Sequence, residues 1–201
     1  MTGPALLLAS QSESRRRLLA NAGVPFETVS AGVDEETAKD ALVGEGVGPR
    51  DLADALAELK AIRPSQRNPH ALVLGCDQTL ALADDTLINK CESREEARDL
   101  LLRMSGARHH LHSAAVIALA GEPIWRHIES VAMDMRPLSP AFVDAYLDRE
   151  WEQCRWCVGC YRIEGPGAQL FSRVTGSLFA VQGLPLLPLL DFLRTRGVLA
   201  A

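Results

Sequence analysis

An unbroken apolar run over residues 5–9 predicts a strand buried on both faces. It empties into the polar stretch 10–14. Leu18, Leu19 and Ala22 then recur at helical spacing, with Gly23 and Pro25 marking the stop and Ser12 or Ser14 available as cap. Residues 24–30 alternate and predict a second strand, residues 32–36 an acidic turn, and the Gly/Pro-rich piece 43–49 a surface loop. Leu52, Leu56 and Leu59 stripe a helix over 51–62, capped by Asp51 and followed by a polar break at 63–69. Residues 71–75 predict a short apolar strand ending at Cys76-Asp77-Gln78. The chain then runs extended over 79–82, turns at Asp84-Asp85, and returns over 86–88 to Asn89-Lys90-Cys91. Ser93 and Glu96 form a capping box for a helix to Met104, stopped at Ser105-Gly106. Residues 112–120 and 123–135 predict paired strands about Gly121-Glu122, and 139–149 a helix with Pro140 in its first turn. Residues 151–167 are irregular, 169–174 extended, and 186–196 a final helix stopped by Gly197. Alternating strands and helices with one antiparallel stretch predict an α/β fold built on a mixed twisted sheet with flanking helices.

Composition narrows the partners. The chain has 201 residues, is 47% hydrophobic and carries a net charge of −5, which suits one domain with a sizeable core and argues against a polymeric nucleic-acid partner. No apolar run reaches the ~18 residues a bilayer span needs, and the start lacks the pattern of a secretion signal. Five cysteines in a chain of this size favour free thiols in a reducing, cytoplasmic setting over a disulfide frame.

Arg15, Arg16 and Arg17 fall in the first turn of the first helix, where the helix dipole disfavours cations. Helix-start N–H groups, serine hydroxyls and guanidinium forks suit a phosphate chain; the alternative is a solvated basic turn. Asp77, at the carboxyl end of a buried strand, can hold Mg²⁺ or take a proton from water, or can merely turn the chain. Glu35, in an acidic run, becomes interesting as its metal-binding partner. Lys60 and Lys90 can reach a phosphate as point charges or stand in solvent. Cys154, Cys157 and Cys160 have a spacing that binds zinc or iron–sulfur clusters but show no nearby fourth ligand, so core filling is preferred. His109, His110 and His112 alternate along a strand start, as an edge more readily than as a metal site.

Taken in order, these pieces resemble the Maf family of nucleoside triphosphate pyrophosphatases over nearly the whole chain. The resemblance rests on Leu8-Ala9-Ser10-x-Ser12-x-x-Arg15-Arg16-x-Leu18-Leu19, Val33-Asp34-Glu35, Leu52-Ala53, Lys60-Ala61, Gly75-x-Asp77, Lys90, Ser105-Gly106, the 159–167 segment and Gly183-Leu184-Pro185-Leu186. It implies an elongated two-lobed fold with a central cleft, and a homodimer as a state open to it. It further implies a divalent cation, Mg²⁺ or Mn²⁺, on Glu35 and Asp77, with Asp77 as proton acceptor. Ser10, Arg15, Arg16, Lys60 and Lys90 match residues that hold the triphosphate. Asp77-Gln78 and Glu164-Gly165-x-Gly167 look like the branch acting on 7-methyl-GTP, with Ser14, Gln78 and Glu164 at the specificity positions. Here a carboxylate, Glu164, would complement a cationic base, and the Gln78 amide would serve its carbonyl edge. The chain departs from the pattern at Glu13, Ser14, Asn89, Cys91 and Gln182. A non-catalytic nucleotide-binding regulator of cell division on the same scaffold is the competing function.

Overall fold

The computed structural model describes residues 4–200. Its frame is a seven-stranded mixed sheet with helices packed against it. Strand β1 (Leu6–Ala9) leads into helix α1 (Glu13–Asn21), whose cap is Ser12: its hydroxyl accepts from the Arg15 N–H. Strand β2 (Glu27–Thr28) is far shorter than the alternation suggested, and the expected acidic turn instead opens helix α2 (Glu35–Gly44). Asp34 caps α2 by accepting from the Thr37 N–H, so the acidic run sits at a helix N-terminus, where the dipole favours it.

Helix α3 (Pro49–Arg67) is longer than its stripe predicted, starting after Gly48 and running through the supposed polar break. Its buried face is Leu52, Ala53, Leu56, Ala57, Lys60 and Ala61, while Leu59 faces out. Small residues make this contact close. Ala53, Ala57 and Ala61 pack on Ala114, Val116 and Ala118, and Gly75 lies directly beneath the helix. A side-chain carbon on Gly75 would stand 2.1 Å from the Ala57 carbonyl and 2.6 Å from the Ala61 nitrogen.

Strand β3 (Leu72–Leu82) is one continuous strand of 11 residues, which corrects the expectation of a short strand ending before Asp77. Along one edge it pairs without interruption with β5 (Arg108–Leu119). Along the other it pairs in parallel with β1 as far as Gly75, and antiparallel with β4 (Leu87–Ile88) from Leu80. Between these two partners Cys76 to Thr79 has no strand neighbour on that edge, and this interval holds Asp77 and Gln78. The sheet order is β2-β1-β3-β5-β6-β7, with β6 (Glu122–Met135) and β7 (Phe171–Thr175) antiparallel to their neighbours. Pairing with β3 draws the start of β5 earlier than the sequence pattern indicated.

Helices α4 (Arg94–Met104) and α5 (Pro140–Cys154) cover one end of the sheet, with Leu101, Met104, Leu147 and Tyr146 in its core. At the other end α1 and α7 (Leu186–Thr195) pack on β1 and β3 through Leu19, Leu8, Leu74 and Leu189. A short helix α6 (Leu178–Val181), absent from the sequence pattern, precedes the Gly183-Leu184-Pro185 turn. No described helix is long and apolar enough to cross a membrane.

Gly75→Ala forces α3 off the sheet and is expected to destabilise the fold by about 1–3 kcal/mol, the usual cost of overpacking. Chemical denaturation measures this; an unchanged unfolding midpoint would show that the close approach is not needed.

Candidate active site

The interval in the β3 ladder opens into a cavity of about 770 Å³, within the size range of small-molecule sites. Its floor is set by α3 lying on Gly75. One helical turn from Ala57, Lys60 hangs from the buried face of α3 and its Nζ donates to Asp77 Oδ1 at 2.6 Å. The same ammonium stands 2.8 Å from Glu35 Oε2, at the first turn of α2. One cation thus joins two carboxylates that are 42 residues apart in sequence.

The two carboxyls are tuned in opposite directions. Burial pushes Asp77 above the usual aspartate range, against the pull of Lys60 and Arg15. Burial also works on Glu35, but there the Lys60, Lys90 and Arg15 charges outweigh it and hold the group low. One ammonium thus serves a carboxyl held above its ordinary range and another held below its own.

Arg15 is buried although it sits in the first turn of α1. Its Nε donates to the Gly183 carbonyl at 2.8 Å, and its Nη1 to Ser10 Oγ at 3.2 Å and the Cys76 carbonyl at 3.0 Å. Gly183 is at φ +95°, a left-handed conformation that disfavours a side chain, and any Cβ there would crowd the guanidinium at 3.2 Å. Three protein carbonyl and hydroxyl acceptors thus orient the Arg15 fork, and Nη2 has no partner among the described residues. Ser10 and Lys90 line the same cavity.

Arg16 is placed differently from expectation. It lies outside the cavity and pairs with Glu13 on the exposed side of α1. Arg17 lines the cavity in its place, with Nη2 2.6 Å from Glu164 Oε1. The sequence motif ranked Arg16 above Arg17; the helical turn of about 100° per residue is the signal that could have separated them. The Arg16 pair also neutralises the additional acid at Glu13.

Ser14, Gln78 and Glu164 all line the cavity. Gln78 does not offer its amide N–H groups, however. Its Nε2 donates to Ser113 Oγ at 2.9 Å and to the carbonyls of Ala180 at 2.9 Å and Val181 at 3.1 Å. Two carbonyl acceptors fix the orientation of that amide, because its oxygen could not face them. Only Oε1 remains for a ligand. The cavity thus presents acceptors at both Gln78 and Glu164, and the expectation that Gln78 donates to a base carbonyl is corrected.

Of the cysteine and histidine groupings, Cys154, Cys160 and His109 belong to the core. Cys154 and Cys160 are buried, and burial pushes Cys154 up to about 12, the opposite of a metal-ready thiolate. Cys157 lines the cavity and burial pushes it up to about 11. His109 is buried, hydrogen-bonded through Nε2 to Tyr161 at 2.7 Å and pushed down to about 4 by burial, while His112 meets Ser130 on the sheet surface. Among the described residues no three His, Cys, Asp or Glu side chains converge as a metal cage. Glu35 and Asp77 make a pair, and two carboxylates completed by ligand phosphates are a set that suits Mg²⁺.

A family model described as Maf-like protein matches residues 5–196. A nucleoside triphosphate pyrophosphatase of Caulobacter vibrioides is 53% identical over 192 residues, covering 96% of both chains. One of Sphingopyxis alaskensis is 50% identical, covering 96% of this chain and 98% of its own. A 7-methyl-GTP pyrophosphatase of Brucella suis biovar 1 is 47% identical over 189 residues, covering 94% of both chains.

Asp77 titrates higher in the folded chain than in the unfolded one, so its ionisation opposes folding. The penalty is absent below the ordinary value of 3.8 and grows as pH rises through the folded value. In metal-free protein, the stability of wild type relative to Asp77→Asn should therefore fall as pH rises from about 3.5 to 7. Thermal unfolding across that range measures the difference; wild type gaining on the variant with rising pH would refute the direction.

Proposed function

The chain is a member of the Maf family, and on that premise we propose that it is an acid-anhydride hydrolase cutting a nucleoside triphosphate to the monophosphate and pyrophosphate. The observation that carries this reading is the Lys60 bridge between Glu35 and Asp77 beside the oriented Arg15 fork.

Charge balance supports it. At the phosphate end Arg15, Lys60 and Lys90 face Glu35 and Asp77, leaving one net positive charge. A triphosphate brings roughly four negative charges, and unmatched charge in a partly buried site is costly. The site is therefore short of positive charge by itself, which is a physical reason to assign it a divalent cation. Glu35 and Asp77 would hold Mg²⁺ or Mn²⁺, which when bound supplies phosphate neutralisation and a more acidic water.

The chain's own residues do the rest. Arg15 offers Nη2 to a phosphate oxygen while its other donors keep the fork fixed. Ser10, the start of α1 and Lys90 surround the same space. Asp77 accepts the proton of the water that attacks the α-phosphorus, and its burial makes it a better acceptor than an ordinary carboxylate. The bond to the departing pyrophosphate breaks as the new P–O bond forms, and the charge that develops would be offset by Lys60 and Lys90, which line the cavity.

The base reading is guanine, in line with the name of the Brucella relative. Guanine presents N1–H and N2–H donors on one edge, which suit the acceptors Gln78 Oε1 and Glu164. A 7-methylguanine adds a positive charge, which Glu164 complements once it turns from Arg17 to the base. Released in this way, Arg17 becomes a further cation for the triphosphate.

Pyrophosphate release from a panel of nucleoside triphosphates, with Mg²⁺, Mn²⁺ or chelator, tests this. The expected result is metal-dependent release, greatest for 7-methyl-GTP, with Asp77→Asn slowing kcat by about 10²–10⁴-fold while nucleotide still binds. Arg17→Ala should raise KM and Arg16→Ala should leave it near wild type. Binding without release from any triphosphate would favour the non-catalytic regulator instead.

A further inference from the structure

Trp156 is the one large hydrophobic side chain among the described residues that is both exposed and in the cavity wall. It is 70% exposed, and the other large exposed hydrophobics, Val43, Leu59, Ile124, Leu178 and Leu187, lie outside the cavity. An indole left in water forfeits the burial that usually places tryptophan in cores and interfaces, so its position in a ligand-sized cavity calls for a partner.

The ring is held rather than free. It sits in the turn that follows α5, and the Arg155 guanidinium lies over it at 5.1 Å while also standing over Trp151 at 5.4 Å. Trp151 is half-buried against the core, so Arg155 ties the exposed ring to a fixed one. A cation over one ring face leaves the opposite face for a flat ligand. Tyr161, the other aromatic ring in the wall, is buried and has its hydroxyl bonded to His109.

The same cavity suits a base. Gln153, Cys157 and Val158 line it next to Trp156 in sequence, and Glu164 and the Gln78 oxygen add hydrogen-bond acceptors. Arg15, Lys60 and Lys90 line the same cavity and suit the phosphate end of a ligand, which leaves the exposed indole for its aromatic end.

We propose that Trp156 is the stacking platform for the substrate's base at this site. The inference rests on the triphosphate reading above. A base stacked on indole gains about 1–3 kcal/mol, sequence-tolerantly for neutral rings and more for electron-poor ones. Trp156 therefore supplies affinity for any purine, and the acceptors at Gln78 and Glu164 choose among them.

The test compares wild type with Trp156→Ala and Trp156→Phe, both at an exposed position where folding is unaffected. Trp156→Ala should raise KM for a guanine nucleoside triphosphate by about 10–100-fold, with kcat falling far less. Trp156→Phe should recover most of the affinity. Inhibition by inorganic tripolyphosphate, which has no base, should be the same in all three proteins, a result that a general loss of structure would not give. Titration with the nucleoside monophosphate should quench tryptophan fluorescence in wild type and quench it little in Trp156→Phe. Equal KM in wild type and Trp156→Ala, or equal quenching in wild type and Trp156→Phe, overturns the stacking role. Absence of pyrophosphate release from wild type would overturn the hydrolase reading, and the quenching comparison would still decide the stack.

Discussion

One buried ammonium holds the site together. Lys60 reaches Asp77 at 2.6 Å and Glu35 at 2.8 Å, and the two carboxylates would otherwise repel one another. Its reach depends on backbone packing. Gly75 lets α3 settle onto β3, and the alanines at 57 and 61 bring the helix close enough for the lysine to point at the strand. Asp77 is available because the β3 ladder is open on one edge between β1 and β4. Helix packing, strand pairing and charge are thus one constraint seen at three levels. The bridge also explains the unequal carboxyls: Lys60 serves both, but only Asp77 is buried deeply enough for desolvation to win.

A second support stands beside the first. Arg15 ties α1 to the Gly183 turn and to the open edge of β3 through the Cys76 carbonyl. Its charge serves the cavity while its hydrogen bonds serve the fold. This resolves the apparent conflict of a cation in the first turn of a helix. The dipole penalty there, of order 0.3–1 kcal/mol, is small beside three hydrogen bonds to a buried charged group.

Local chemistry made much of this legible in the sequence. Apolar runs and caps located β1, α1, α4 and α5, while Lys60, behind the stripe of α3, read equally as a phosphate-reaching lysine or a solvated one. Tertiary effects hid the rest. Residues 76–79 look polar, but β5 pairs with them and keeps β3 continuous, so Asp77 lies within the strand. Helix α2 has no buried residue, so no apolar stripe announced it, and its first turn read as an acidic turn. Arg16 and Arg17 are neighbours in sequence, and only the roll of α1 decides which one faces the cavity. The Gln78 amide could not be read at all from its own segment, because its acceptors come from residues 113, 180 and 181.

The most direct measurement of the Lys60 bridge is the titration of the Asp77 and Glu35 carboxyl carbons by NMR, in metal-free wild type and in Lys60→Met. Loss of the shared cation should move both titrations to higher pH together, because Lys60 lowers both groups. Carboxyls that titrate alike in the two proteins, or a shift confined to one of them, would contradict the account.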